Sequence, residues 1–445
     1  MITYQDLQKV GESDADRMAF VFNAISKHKA SDDYRDSVIA NDYDQRHNTT
    51  IMSYQKMLYT VQGRAVPDYI SANHKLCSNF LNRFIVQEVQ FLMGNGITWD
   101  KEETGAKLGE DFDYKMQIMG HEALVSGVAF GFWNLDHLEV FNLRSFVPLY
   151  DEENGALMAG IRFWQIDTNK PMRATLYELD GYTEYLSENG KQEIMRDKTA
   201  YKLKLRTTEA DGTEIYDGEN YAGFPIVPMW GNKARQSELV GRRGQIDAYD
   251  LIKSGFANDV DDASMIYWVI QNAGGMDDID LAKFVEHMKT IHASVIEDGG
   301  ATAESHTVDV PYGSREALLD RLRSDLYDDF MALDTKNIAN GAATATQIRA
   351  AYEPLNSKTD AFEYCAIDFI QGVLALAGID DEPTFTRSYI INTQEEIQTI
   401  LQAATMLDAD YVTTKIMTIL GDGDKVEEAL KNKDLDEMGR FAEEE

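Results

Sequence analysis

The sequence predicts an α+β fold in which helical segments bracket a β-rich middle and a small mixed unit parts two long helices. Three observations carry that expectation. Apolar residues recur every three to five positions over residues 76–92, 246–263, 318–330 and 348–376, the spacing of a buried helix face. Residues 118–231 are instead dense in aromatic and β-branched side chains broken by turn signals, as short antiparallel strands are. Residues 268–313 alternate apolar runs with one short helical pattern, which suits a compact α/β module.

Residues 1–60 read as polar helices with apolar pairs at Phe20/Val21 and Ile39/Ala40. In "HKLCSNFLNRFIVQEVQFLMGNGITW", Leu76, Phe80, Phe84, Val89 and Leu92 mark one face, and Gly94 and Gly96 stop the helix. The β-rich stretch follows, with "ENG" and "LDG" as turns. From Ser237 the helical period returns: Ile246, Tyr249, Ile252, Phe256, Val260 and Ala263 form a stripe, with Asp247, Asp250, Asn258, Asp261 and Asp262 largely off it. The mixed unit reads strand–helix–strand–strand through "MIYWVI", "DLAKFVEHMK", "IHASVIE" and "HTVDV". Ser314 is placed to cap the next helix, whose Leu318, Leu322, Leu326 and Phe330 sit four apart. A weakly charged stretch comes next: Asn337, Ala339, Asn340, Gly341, Ala342, Ala343, Thr344, Ala345 and Thr346 are all small or uncharged. Thr344 and Gln347 have capping-box spacing for a helix whose stripe from Ile348 to Leu376 runs on through Pro354, so one long kinked helix is expected. Beyond the strand-like "TFTRSYIIN", residues 395–445 read as short acidic helices, with 14 acidic and 5 basic residues.

Composition limits the function. The 445 residues are 44% hydrophobic and 27% charged, ordinary for a globular chain. No run approaches the roughly 18–20 apolar residues of a membrane span. The beginning of the chain lacks a basic region followed by an apolar one, so a cytoplasmic origin without a signal peptide is expected. Cys77 and Cys365 lie far apart in apolar helical patterns and read as buried reduced thiols. The eight histidines are scattered and no Cys/His cluster has zinc spacing, so no metal or other cofactor is expected. The net charge of −34 opposes binding by phosphate neutralisation. It fits a solubilising surface, or one that touches a polyanion without holding it. No phosphate-cradling GxxxxGK[ST], GxSxG, HExxH or calcium-loop motif is present. Adjacent acidic pairs such as Asp261/Asp262 and Asp328/Asp329 diverge on a helix and read as solvated faces. Nothing in the sequence argues for an enzyme.

The order of parts resembles the portal protein of tailed bacteriophages, in the form found in many siphophages of Gram-positive hosts. The likeness runs from about Ile39 to the acidic tail. It rests on "HKLCSNFLNRFIVQEVQFLMGNGI" (with Gly96 where the family has proline) and on "GVAFGFWNLDHLEVFNLRSFVPLYDEENGALMAGIRFW". It is strongest in "GFPIVPMWGNKARQSELVGRRGQIDAYDLIKSGFANDVDDASMIYWVIQ", at Pro225, Pro228, Asn232, Ser237, Ile246, Asp247, Tyr249, Ser254 and Asn258. The fourth piece is "IANGAATATQIRAAYEPLNSKTDAFE", with Ala-Thr where the family has Ser-Gly.

That resemblance implies a non-enzymatic ring, normally of twelve subunits, around a double-stranded DNA channel at one capsid vertex of the virion. It implies a wing over 1–236, stem helices over 237–267 and 314–333, a clip over 268–313, a tunnel loop over 334–346, a kinked helix and wing return over 347–391, and a crown over 392–445. The stem residues would be Ile246, Asp247, Tyr249, Asp250, Leu322 and Leu326. Clip residues Asp277, Asp278, Glu297 and Asp298 would meet the terminase large subunit and later the head–tail adaptor. Major capsid and scaffolding proteins would be further partners, with assembly in the host cytoplasm and no membrane. Lys336, Asn337, Asn340, Gly341 and Thr344 would face DNA, where small and amide side chains make contact without the grip that arginine or lysine would add. Read from the residues alone, the same loop also fits a linker buried against neighbouring chains. The alternatives for the whole are a virion structural protein without a channel, or an enzyme of unrecognised motif.

Overall fold

Capping side chains begin the first helices of the computed structural model, which describes residues 2–11, 13–59, 62–69, 71–208, 214–263, 267–271, 279, 283, 286, 302–306, 312–337, 345–389, 393–421, 423–426 and 430. Thr3 and Asp6 form a reciprocal capping box for α1 (Tyr4–Val10). The Ser31 hydroxyl accepts from Tyr34 N–H at the start of α3 (Asp32–Asp44), and Asn48 Oδ1 accepts from Thr50 and Ile51 at α4 (Thr49–Ser53). Between them, α2 (Asp14–Lys29) buries Val21, Phe22 and Ile25.

A hairpin of β1 (Met57–Tyr59) and β2 (Ala65–Pro67) follows, exposed on both strands. The expected apolar helix is α5 (Phe80–Met93), which buries Phe80, Leu81, Phe84, Ile85, Val89 and Leu92. It ends as Gly94 and Gly96 predict, Gly96 having φ +77°. After β3 (Ile97–Trp99) and α6 (Glu103–Leu108), α7 (Phe112–Ser126) leads into the β-rich region, whose own strands begin at Val128, later than residue 118.

Two antiparallel sheets make that region. One is the three-stranded order β13 (Ile226–Trp230), β4 (Val128–Asn134), β5 (His137–Asn142). The other is the five-stranded meander β6 (Phe146–Tyr150), β7 (Leu157–Trp164), β8 (Met172–Glu178), β9 (Gly181–Glu188), β10 (Lys191–Thr199). Alternate residues Leu157, Ala159, Ile161 and Phe163 of β7 are buried, and the last three join the α2 side chains in one apolar cluster. A separate hairpin, β11 (Lys202–Thr208) and β12 (Glu214–Glu219), extends beyond.

Two antiparallel helices, α8 (Arg243–Ala263) and α9 (Tyr312–Asp329), then flank a strand pair, β14 (Tyr267–Gln271) and β15 (Thr302–His306). The partner strand reaches His306, the first residue of the expected "HTVDV" run, of which Thr307–Val310 are outside the described residues. Helix α9 starts two residues before Ser314, so Ser314 sits inside the first turn and is not its cap. Tyr312 meets Phe256 edge-on across the pair, 5.1 Å between ring centres.

The expected long helix is α10 (Ala345–Ala377), continuous through Pro354. Its Phe362, Phe369 and Val373 are buried in the largest core, with α5, α7 and the three-stranded sheet. Gly131 permits that packing, because a Cβ there would lie 2.4 Å from the Phe369 ring. Strand β16 (Pro383–Phe385) pairs with β3, and α11 (Thr393–Ala403) and α12 (Ala409–Leu420) follow. Cys77 and Cys365 are free but half-buried, more open than the sequence implied; Cys77 lies in the non-helical stretch before α5, and Cys365 within α10.

Candidate functional site

The helix pair α8/α9 and the segment joining α9 to α10 hold most of the candidate residues. Ile246 and Leu326 are buried and Leu322 is half-buried, so the apolar stripes do face inward near the body of the chain. Tyr249 meets Phe80 of α5 edge-on at 4.9 Å. Asp247 accepts hydrogen bonds from the Tyr43 hydroxyl and from Thr50 Oγ1 (2.9 Å).

From Asp250 to Asn258 the polar side of α8 is covered, while Asp261 beyond them is exposed as expected. Asp250 is fully buried, and Ser254 and Asn258 are nearly so. Asp250 Oδ1 accepts Ser78 N–H (2.9 Å), Ser254 Oγ accepts Leu76 N–H (3.0 Å) and Asn258 Oδ1 accepts His74 N–H (2.7 Å). Four helical residues rise about 6 Å and two residues of an extended chain about 6.6 Å. Side chains spaced i, i+4, i+8 therefore serve alternate amides of a chain running antiparallel to the helix. The ladder satisfies backbone donors that have no strand partner. Asp250 Oδ2 also accepts from Asn48 Nδ2 (2.9 Å). Burial pushes the Asp250 carboxyl above its usual range against these hydrogen bonds.

Beyond α9 the chain is clamped before it reaches the loop. The Gln87 amide on α5 grips Leu333 at both ends, donating to its carbonyl (3.1 Å) and accepting its N–H (2.9 Å). Asp334 takes a bidentate Arg323 guanidinium (2.8 Å twice) and its Oδ1 accepts Lys336 N–H (3.1 Å). Lys336 is exposed, and Asn337 ends a short 3-10 turn over Thr335–Asn337. Asn340, Gly341 and Thr344 lie outside the described residues, as do Asp277, Asp278, Glu297 and Asp298. Past the loop, Tyr352 and Leu355 of α10 pack with Phe91 and Leu333.

One buried charge cluster joins all these parts. Lys358 of α10 lies 2.6 Å from Glu88 of α5 and 2.9 Å from Glu238, which precedes α8. Arg242 also pairs with Glu238 (3.0 Å), donates to the Asp329 carbonyl (3.0 Å) and stands 4.7 Å over the Phe330 ring. Burial lifts the Glu88 carboxyl above its usual range despite Lys358. For Glu238 burial is outweighed by Lys358 and Arg242, which hold it low. For Lys358 burial is outweighed by the two carboxylates, which hold the ammonium high.

A family model described as "Phage portal protein, SPP1 Gp6-like" matches residues 39–437. The chain belongs to that phage portal protein family. It is similar to the portal protein of Clostridium phage phiCD119, 24% identical over 374 residues, covering 76% of this chain and 80% of that one. Among solved structures it is similar to a chain in the neck of an empty gene transfer agent (GTA) particle computed with C6 symmetry. There the identity is 11%, the TM-score 0.45, and the coverage 76% of this chain and 90% of that one. For the neck of a native GTA particle computed with C12 symmetry the values are 10%, 0.43, 76% and 89%.

Of the positions that carried the portal resemblance, Asp247, Ser254 and Asn258 act in the contacts above. The Gln87 clamp, the Arg323–Asp334 pair and the Lys358 cluster were not anticipated. The last left a signal: Glu88 interrupts an apolar helix run, and Lys358 falls three residues after Leu355 and four before Phe362 on the apolar stripe.

Proposed function

We propose that this phage portal protein forms a ring whose central channel passes double-stranded DNA during packaging and ejection. In that reading α8 and α9 are the stem, the strand pair β14/β15 opens the clip, and the segment 334–346 is the tunnel loop. The observation that supports it most is the family match over 39–437 with a small, weakly charged segment between two helices that are each anchored in the body of the chain. Gln87 and Arg323 hold its entry, and the α10 stripe holds its exit. Its uncharged side chains slide past phosphates with little electrostatic hold.

The ring takes no catalytic step of its own. The clip, around residues 272–304, docks the terminase large subunit during filling and the head–tail adaptor afterwards. Scaffolding and major capsid proteins surround the ring at the portal vertex of the virion, and DNA passes without sequence preference. Light scattering and negative-stain microscopy of the purified chain test this: a ring-sized mass with a central hole is expected. A chain that stays monomeric at high concentration overturns the reading.

A further inference from the structure

The hairpin β1/β2 exposes apolar side chains on both strands. Met57, Leu58, Tyr59 and Val66 are all open to solvent, Tyr59 at 77% of its surface. An isolated two-stranded hairpin is marginal in water, and one with apolar residues on both faces lacks its cover. The helix pair has the complementary defect. Along the α9 stripe exposure climbs from 0% at Leu326 to 46% at Leu318, and Leu251 of α8 is exposed as well.

We infer that the hairpin is an arm that docks on the α8/α9 face of the next copy of this chain. The inference rests on the ring reading above. Three observations favour a second copy as the occupant. First, donor and acceptor are different patches of one chain, the arrangement that closes rings. Second, the charges match. By sequence the segment "YQKMLYTVQGRAV" carries a net charge of +2 in a chain of net charge −34, so the sign of its charge suits an acidic face. On α9, Arg315, Arg321 and Arg323 are engaged by Asp259, Asp325 and Asp334. Glu316, Asp320 and Asp328 are exposed and form no ion pair among the described residues.

Third, the heights match. Rotation about a ring axis keeps every group at its own level along that axis. With the stem running along the axis, the chain on one side of the hairpin is tied to Asp247 through Thr50. The chain on the other side is tied to Asn258, Ser254 and Asp250. Leu251 lies within that band. So does Leu318, because Tyr312 meets Phe256 and Gln245 bonds Asp329.

The test uses the full chain. Leu58→Ser with Tyr59→Ser should leave the monomer's melting midpoint unchanged, since both side chains are exposed, and weaken ring association about a hundredfold. In a background of Cys77→Ser and Cys365→Ala, Leu58→Cys with Leu318→Cys should give, on oxidation, a ladder of covalent multimers up to the ring. Normal rings from the serine variant, with no inter-chain link from the cysteine pair, overturn the inference and leave the ring reading standing. Ring loss in the serine variant without the 58–318 link overturns the α8/α9 face as the acceptor. A wild-type chain that never forms a ring overturns the ring reading, and this inference with it. If the serine variant does not fold, the cysteine pair decides alone.

Discussion

Replacing Lys358 by methionine would keep most of the side chain's volume and remove its charge. Glu238 would retain Arg242 at 3.0 Å, but Glu88, 1% exposed, would lose its partner at 2.6 Å. Breaking a buried pair by removing one member costs about 3–5 kcal/mol, mostly because a charge is left uncompensated. Adding Glu88→Gln removes that charge, so the double variant should recover all but about 1–2 kcal/mol. The pH dependence follows from the raised Glu88 carboxyl. A group that holds its proton more tightly when folded stabilises the fold fully below its unfolded pKa, and that stability is lost as pH rises through the folded value. The single variant's deficit should therefore shrink as pH falls from 7 toward the ordinary carboxylate range. Urea unfolding followed by fluorescence, at one protein concentration because association adds stability, measures both. A Lys358→Met variant within about 1 kcal/mol of wild type, or a double variant no better than the single, would refute the reasoning.

Three further outcomes are expected. Asp250→Ala strands Asn48 Nδ2 and the Ser78 amide, so it should cost about 2–3 kcal/mol and speed hydrogen exchange at residues 74–78; unchanged exchange would deny the ladder its role. His121, which faces Asp44 at 3.1 Å with Glu122 and Arg144 nearby, is lowered by burial but raised overall by the Asp44 hydrogen bond and charge. Its stabilisation is full below the ordinary histidine pKa of about 6.5 and fades as pH rises through the higher folded value. The stability gap between wild type and His121→Gln, measured in urea, should therefore narrow over that rise, and a constant gap would contradict the pairing. Free duplex DNA should bind weakly and less as salt rises, given the charge of −34 per chain; submicromolar binding that resists salt, in a filter or anisotropy assay, would count against a non-gripping channel.

Much of the fold was legible because burial imposes a period. The α5 stripe, the strands around "ALMAGIRFW" and the helix through Pro354 each follow from spacing alone. Less legible was what covers each face. Asp250 and Asn258 looked like solvent-side residues because periodicity says which side chains share a face, not what lies against it. Their partners come from residues 74–78, at separations of 172 and 184 positions. The charge cluster was hidden for the same reason: Glu88, Glu238 and Lys358 meet only when three separate elements pack. Ser314 shows the limit of cap signals, since the helix takes in the two residues before it. The candidate loop stands out by composition, a property of sequence that needs no contacts, and residues 338–344 of it lie outside the described residues.

The most direct test of the channel is DNA filling in a packaging assay with Asn337, Asn340 and Thr344 all changed to arginine, ring integrity being checked by microscopy. The flanking helices carry the packing, so rings should form as in wild type. In the proposed ring, if of twelve copies, the variant would set about 36 new charges around one narrow circle, each able to make a charge-assisted, bidentate contact with phosphate. Intact rings that stall during filling are the expected result. Intact rings that fill at the wild-type rate would mean that the loop does not face DNA, and would contradict the account.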